Sequence, residues 1–249
     1  MPEALEDLAD LPLGAHCLGL YADVEEDAEH AAEFVAGAPT WHATAYWVPD
    51  RGTSDRCTER IARDGPDHVG CVGILPAGQV EAVEGRLRPV EEIRAFLGAH
   101  PEGVSAGADT LSRGLTAGTT PDYLEYEAWF DLQPRDSCRF LCPYDLRMIP
   151  PQLAPTVLRD LGAHHSHVAL SASESPAVRL LQLFVFARYG DLPAPLLADA
   201  EEATAAGLLT VDPATGTFEL SERGVFLIEG WSHAVATAAE QRAAAVAGP

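Results

Sequence analysis

Short, uninterrupted apolar runs separated by helical segments constrain this chain more than any other feature. His16 to Tyr21 (HCLGLY), Thr40 to Val48 (TWHATAYWV), His68 to Leu75 (HVGCVGIL), Gly103 to Leu111, Asp136 to Tyr144 and His165 to Leu170 read as strands. Between them, Ala28 to Ala36, Ser54 to about Arg63, Val90 to Ala99, a segment opening at Thr120-Pro121 and reaching about Leu132, and Pro151 to Leu161 read as helices. Strands that are apolar at consecutive positions, not at alternate ones, belong to a sheet covered on both faces. With right-handed crossovers, the alternation predicts a doubly wound, mainly parallel α/β sheet, which binds ligands beyond the carboxyl ends of its strands.

The pattern changes after residue 170. Ser171 to Pro176 (SASESP) is polar and helix-breaking and reads as a linker, which divides the chain into 1–170, a linker 171–176, and 177–249. The last part opens with an apolar helix over Pro176 to Tyr189. A second helix over about Ala194 to Ala206 is stopped by Gly207. A hairpin around Asp212 to Gly216 and a final helix from Glu222 to about Ala244 follow. Helix, helix, hairpin, helix is the order of a small α+β, winged-helix-like domain.

Charge narrows the functions. The formal net charge is −22, and all sixteen basic residues are Arg. An acidic, Lys-free surface fits a salt-adapted protein, and it fits equally a GC-rich coding sequence. Residues from Ser171 onward carry four Arg against ten acids, and the second helix of that part carries acids and no base. A nucleic-acid reader draws its affinity from clustered Lys and Arg, so DNA is a disfavoured partner at low salt. No stretch holds 18 consecutive apolar residues, which argues against a membrane span, and the acidic N-terminus has the wrong sign for a secretory signal. The expected location is cytoplasmic.

The motifs exclude more than they assign. Neither GxxxxGK[ST] nor GxGxxG after a strand occurs, and the segment after the first strand, Ala22 to Asp27, is acidic where a phosphate loop needs amides and a Lys. HExxH is absent too. The five Cys (17, 57, 71, 138, 142) are an odd number with no CxxC, which argues against a disulfide framework. Cys138 and Cys142 share one face of a strand, either as small buried side chains or as the wall of a ligand or metal site. His164-His165-Ser166-His167 would place His165 and His167 on one strand face, as a weak metal signal or a solvated turn. Trp41 and Trp47 are expected on one face of the second strand and Tyr46 on the other, as core or interface anchors.

Four segments carry a resemblance. His16 to Tyr21 with its acidic sequel, Asp122 to Ala128 (DYLEYEA), Phe140 to Asp145 (FLCPYD) and Leu158 to His164 (LRDLGAH) resemble, in order and spacing, the MEDS domain of dichloromethane-responsive and methanogen regulators. The likeness covers about residues 14 to 170 and departs at Gly37 to Thr40 and over Gln79 to Glu102. It implies a RecA-like layout without a phosphate loop and the sensing of a simple organic molecule. It carries His16, Glu125, Glu127, Cys142, Tyr144, Asp145 and His164 onto this chain. The expected ligand-binding set is His16, Tyr21, Glu125, Cys142, Tyr144, Asp145 and His164. Glu125 and Glu127 are expected to diverge on their helix.

Within that set, Cys142 with His16 and His164 has the donors for a soft or borderline metal, while the same groups would equally line a small polar-edged apolar pocket. The expected function is a small-molecule-sensing transcription regulator with no catalytic residues. The alternatives are a sensor acting through a protein partner or homodimer, and a degenerate ATPase-like enzyme.

Overall fold

A computed structural model of the chain describes residues 2–48, 51–64, 71–74, 82–83, 86–109, 127–130, 133, 136–187, 192–212 and 217–247. Its centre is a seven-stranded, all-parallel sheet. In chain order the strands are β1 (Glu3–Leu5), β2 (His16–Tyr21), β3 (Ala43–Val48), β4 (Cys71–Ile74), β7 (Val104–Ala108), β8 (Cys138–Asp145) and β9 (His167–Ala169). Two short strands, β5 (Ala82–Val83) and β6 (Arg86–Leu87), pair separately and antiparallel. Across the large sheet the order is β1-β9-β2-β8-β7-β3-β4.

Helices α1 (Val24–Ala36) and α2 (Arg51–Asp64) cover one face, where Cys17, Tyr46, Val48 and Leu141 pack against Phe34, Val35, Cys57 and Ile61. Helices α3 (Arg88–Ala99) and α4 (Ala154–His164) cover the other, where Leu18, Trp47, Phe140 and Cys142 meet Ile93, Val157, Leu158 and Leu161. The sheet is therefore doubly wound, as the continuous apolar runs require. The crossover from β2 leaves toward β3, while the crossover from β8 leaves toward β9, so the switch point lies between β2 and β8. Residues of even number on β2 and β8 face α4, and those of odd number face α1, because successive strand side chains alternate.

Two boundaries differ from expectation for identifiable reasons. The acidic stretch after β2 is the first turn of α1: Asp23 caps it by accepting from the amides of Glu25 and Glu26, and carboxylates suit the positive end of the helix dipole. Ser54 lies inside α2, which begins at Arg51. The edge strand β1, paired only with β9, had no counterpart among the expected strands. Arg139 on β8 is fully buried. It donates to the carbonyls of Leu11 and Phe34 and to Ser105 Oγ (3.2 Å), and lies over the Phe34 ring. Three acceptors satisfy a cation that faces no carboxylate among the described residues.

The C-terminal part is α5 (Pro176–Phe186), α6 (Ala194–Ala205), an antiparallel pair β10 (Leu209–Val211) and β11 (Phe218–Leu220), and α7 (Glu222–Ala247). Gly207, at φ +69°, supplies the left-handed residue that ends α6. α5 is buried almost throughout and packs on α4 so closely that a Cβ on Gly162 would lie 2.0 Å from the Val185 carbonyl oxygen. The segment 171–175 is neither helix nor strand; the Ser171 hydroxyl and the Ala172 amide are bound to Glu26, and the Ser171 carbonyl to Gln182 of α5. No helix among the described residues is long and apolar enough to cross a membrane.

Candidate functional site

Apart from Arg139 and Ser105, the buried polar side chains of the central strands gather in two places. The first lies on the α4 face. His16 opens β2, Cys142 and Tyr144 project from β8, Glu127 comes from a helical stretch at 127–130, and His165 follows the last residue of α4. His16 Nε2 is 3.3 Å from Cys142 Sγ and 2.9 Å from Glu127 Oε2, and His165 Nε2 is 3.3 Å from the same carboxylate oxygen. The donor atoms of His16, Glu127, Cys142 and His165 all lie within 4.8 Å of one another, and all four residues are buried. The two imidazoles lie tilted at 36° with centroids 4.1 Å apart, and Phe130 and Phe140 wall the His16 ring.

Backbone geometry fixes the protons. His16 Nδ1 is 3.1 Å from the His164 carbonyl oxygen and His165 Nδ1 is 2.7 Å from that of Leu161. A carbonyl only accepts, so each Nδ1 carries a hydrogen; a neutral ring then turns its Nε2 lone pair inward, and a protonated ring donates from Nε2 toward Glu127. Burial, and then the neighbouring His16, push the His165 imidazole below its ordinary value, toward this neutral form. Burial raises the Glu127 carboxyl, but the His165 and His16 rings, cationic and donating when protonated, outweigh it and hold it low. Tyr144 steadies the carboxylate by donating to Oε1 at 2.5 Å. With both rings neutral, three acceptor atoms crowd together around one thiol.

The second group lies on the α1 face at the carboxyl ends of the strands. Tyr21 donates to Asp109 Oδ2 at 2.5 Å and Tyr46 to Asp27 Oδ1 at 2.7 Å. Asp145 holds the Arg147 guanidinium through two contacts of 2.7 and 2.6 Å. Asp27 is fully buried, and desolvation, then the nearby Asp109, push it up to about 8, so it is a neutral acid at neutral pH. The adjacent start of α1, where related layouts hold a phosphate, is filled from within. Asp23 takes two of its amides, and Glu26 takes that of Ala22 at 2.7 Å.

The expected single set is thus corrected to two. His16, Cys142 and Tyr144 come together, joined by Glu127. Tyr21 and Asp145 stand on the opposite face, because odd-numbered positions of β2 and β8 point away from even ones. His164 is corrected as a donor: it gives its carbonyl, and the ring in the cluster is that of His165, which swings inward where α4 ends. His165 and His167 do not share a site, since His167 turns to Ser166 and Glu3. Glu125 lies outside the described residues. The run of three histidines was the available signal for His165, but nothing in it told which ring would enter.

Fold and site together define a doubly wound α/β protein carrying a buried His-Glu-Cys-His cluster off its carboxyl-end crevice. The chain matches no family model, no curated protein and no solved structure.

Proposed function

We propose that the chain is a signal-transduction sensor of MEDS-like type, with the buried cluster as its input and the C-terminal helix–hairpin–helix unit as its output. One observation carries the reading: α4 touches both. At its end, the Leu161 and His164 carbonyls hold the two cluster imidazoles. From the same helix, Arg159 donates to the Phe218 carbonyl of β11 at 3.0 Å and lies over Phe184 of α5. Gly162 seats α5 directly on α4. A change in charge or bonding at the cluster therefore bears on a helix whose other contacts are the hairpin and α5, which is the physical requirement for coupling two sites.

The regulator would sense a simple organic molecule, as the resemblance implies, in the cytoplasm. A protein partner is favoured over DNA as its output. Arg179 is taken up by Asp199 and Glu202, and Arg223 by the Ala206 carbonyl, so two of the four Arg of this part are bound within it. Phe226 at the start of α7 is 77% exposed, and Leu197 and Val211 are exposed too.

Hydrogen exchange tests the coupling. Replacing His165 with Gln should speed exchange of the amides of β10 and β11 relative to those of β3. Unchanged protection in the hairpin would sink the reading. Fluorescence anisotropy with random duplex DNA at low and high salt should show no binding, and binding at low salt would restore DNA as the output.

A further inference from the structure

We propose that His16, Glu127, Cys142 and His165 bind one transition-metal ion of the zinc type. The assignment stands apart from the sensing reading, since it rests on the donors alone. Two nitrogens, one sulfur and one carboxylate oxygen converge from four separate segments of chain. Among them, Glu127 Oε2 and His165 Nε2 are both buried, 3.3 Å apart, and make no hydrogen bond. Two lone pairs facing each other in a dry core cost free energy unless a proton or a cation lies between them. The Nδ1 hydrogens are already committed to carbonyls, so neither ring supplies that proton without becoming a buried cation.

A divalent ion resolves the conflict and balances the charge. It offsets the Glu127 carboxylate and a Cys142 thiolate, leaving a neutral buried unit. Binding displaces the thiol hydrogen, so one proton leaves for each ion that enters. The separations suit a small tetrahedral ion. Bonds of about 2.0–2.1 Å to nitrogen and oxygen and about 2.3 Å to sulfur put neighbouring donors roughly 3.3–3.6 Å apart, within slight movement of the cluster. Thiolate and imidazole select zinc, cobalt or iron over magnesium and calcium, which take oxygen donors.

The surroundings are those of a metal ligand set. Each imidazole is oriented by a backbone carbonyl and the carboxylate by Tyr144. Four protein donors suffice for a tetrahedral ion, which the site would hold in the core beneath α4. Walls of Phe130 and Phe140 keep water out.

The test is elemental analysis of the full chain purified without a His tag, followed by chelation and titration with Zn2+ and with Co2+ alone. One ion per chain is expected, with one proton released per ion in weak buffer. Co2+ should give a thiolate-to-cobalt charge-transfer band and the strong visible bands of a tetrahedral ion. Cys142→Ser should abolish the charge-transfer band, while Cys138→Ser, on the same strand face but outside the cluster, should keep it. Tyr144→Phe should keep the band and weaken binding roughly tenfold. No saturation at one equivalent with the wild-type chain, or a band that survives Cys142→Ser, overturns the proposal. A stoichiometric ion with an unresponsive hairpin would leave the metal site standing and remove the sensor reading alone.

Discussion

The same two central strands supply both polar clusters, and the clusters solve the problem of buried charge in opposite ways. On the α4 face, nitrogen, sulfur and oxygen donors converge with their hydrogens turned outward, an arrangement completed by a cation. On the α1 face, the donors are all oxygen. Phenols give hydrogens to carboxylates, Asp27 keeps its own proton, and Arg147 neutralises Asp145. The first is built to be completed by a positive charge, and the second has already arranged its own. A single residue step decides between them, since Tyr144 and Asp145 are neighbours in the chain and face opposite layers. The usual ligand position of a doubly wound sheet is the one that is internally satisfied here, and the unsatisfied atoms lie elsewhere.

Removing the ion should show the largest difference between the clusters. With free ion about a thousandfold above its Kd, binding to the folded chain alone contributes about 4 kcal/mol, and chelation should lower Tm accordingly. Asp27→Asn should leave that chelation effect unchanged. An equal loss of the effect in Asp27→Asn would mean that the clusters are not independent.

The pH response should come from the second cluster. Asp27 on α1 faces Tyr46 of β3, Asp109 beyond β7, and Asp145 with Arg147 at the end of β8. Its folded value is raised above the unfolded one. The folded chain therefore keeps a proton that the unfolded chain has lost, and stability falls as pH rises toward about 8. The slope is at most about 1.4 kcal/mol per pH unit between roughly pH 4 and 8. Urea unfolding at several pH values should show a shallower fall for Asp27→Asn, and parallel curves would mean that Asp27 is ionised in the folded chain.

The two tyrosines give a matched pair. Tyr21→Phe and Tyr144→Phe each remove one hydrogen bond to a buried carboxylate and should each cost about 1–3 kcal/mol. Only Tyr144→Phe should weaken Zn2+ or Co2+ binding. A metal defect in Tyr21→Phe would erase the distinction between the faces. The smallest effect belongs outside both clusters. Arg56 of α2 and Glu25 in the first turn of α1 form an exposed pair, and Arg56→Ala should change stability by no more than about 0.5 kcal/mol.

The layered fold was legible because doubly covered strands cannot hide their composition: HCLGLY and the apolar stretch around Cys142 announce a buried sheet. β1 was not, since Glu-Ala-Leu is too short for a periodic signal and takes its place by pairing with β9. The start of α1 was misplaced because a run of acids reads as loop until Asp23 is seen to cap it. In the site, side-chain parity was available from the strands alone and would have separated Tyr21 from His16 and Asp145 from Cys142. The choice between His164 and His165 was not available, because it depends on where α4 unwinds.

Glu26 turns the corner between β2 and α1 into a rivet. One carboxylate holds the Ala22 amide just beyond β2 and, through Ser171 and Ala172, the segment that leads into α5. An incoming anion would have to pull that rivet out before reaching the helix start. The loosening would then run straight into the joint between the sheet and the C-terminal helices.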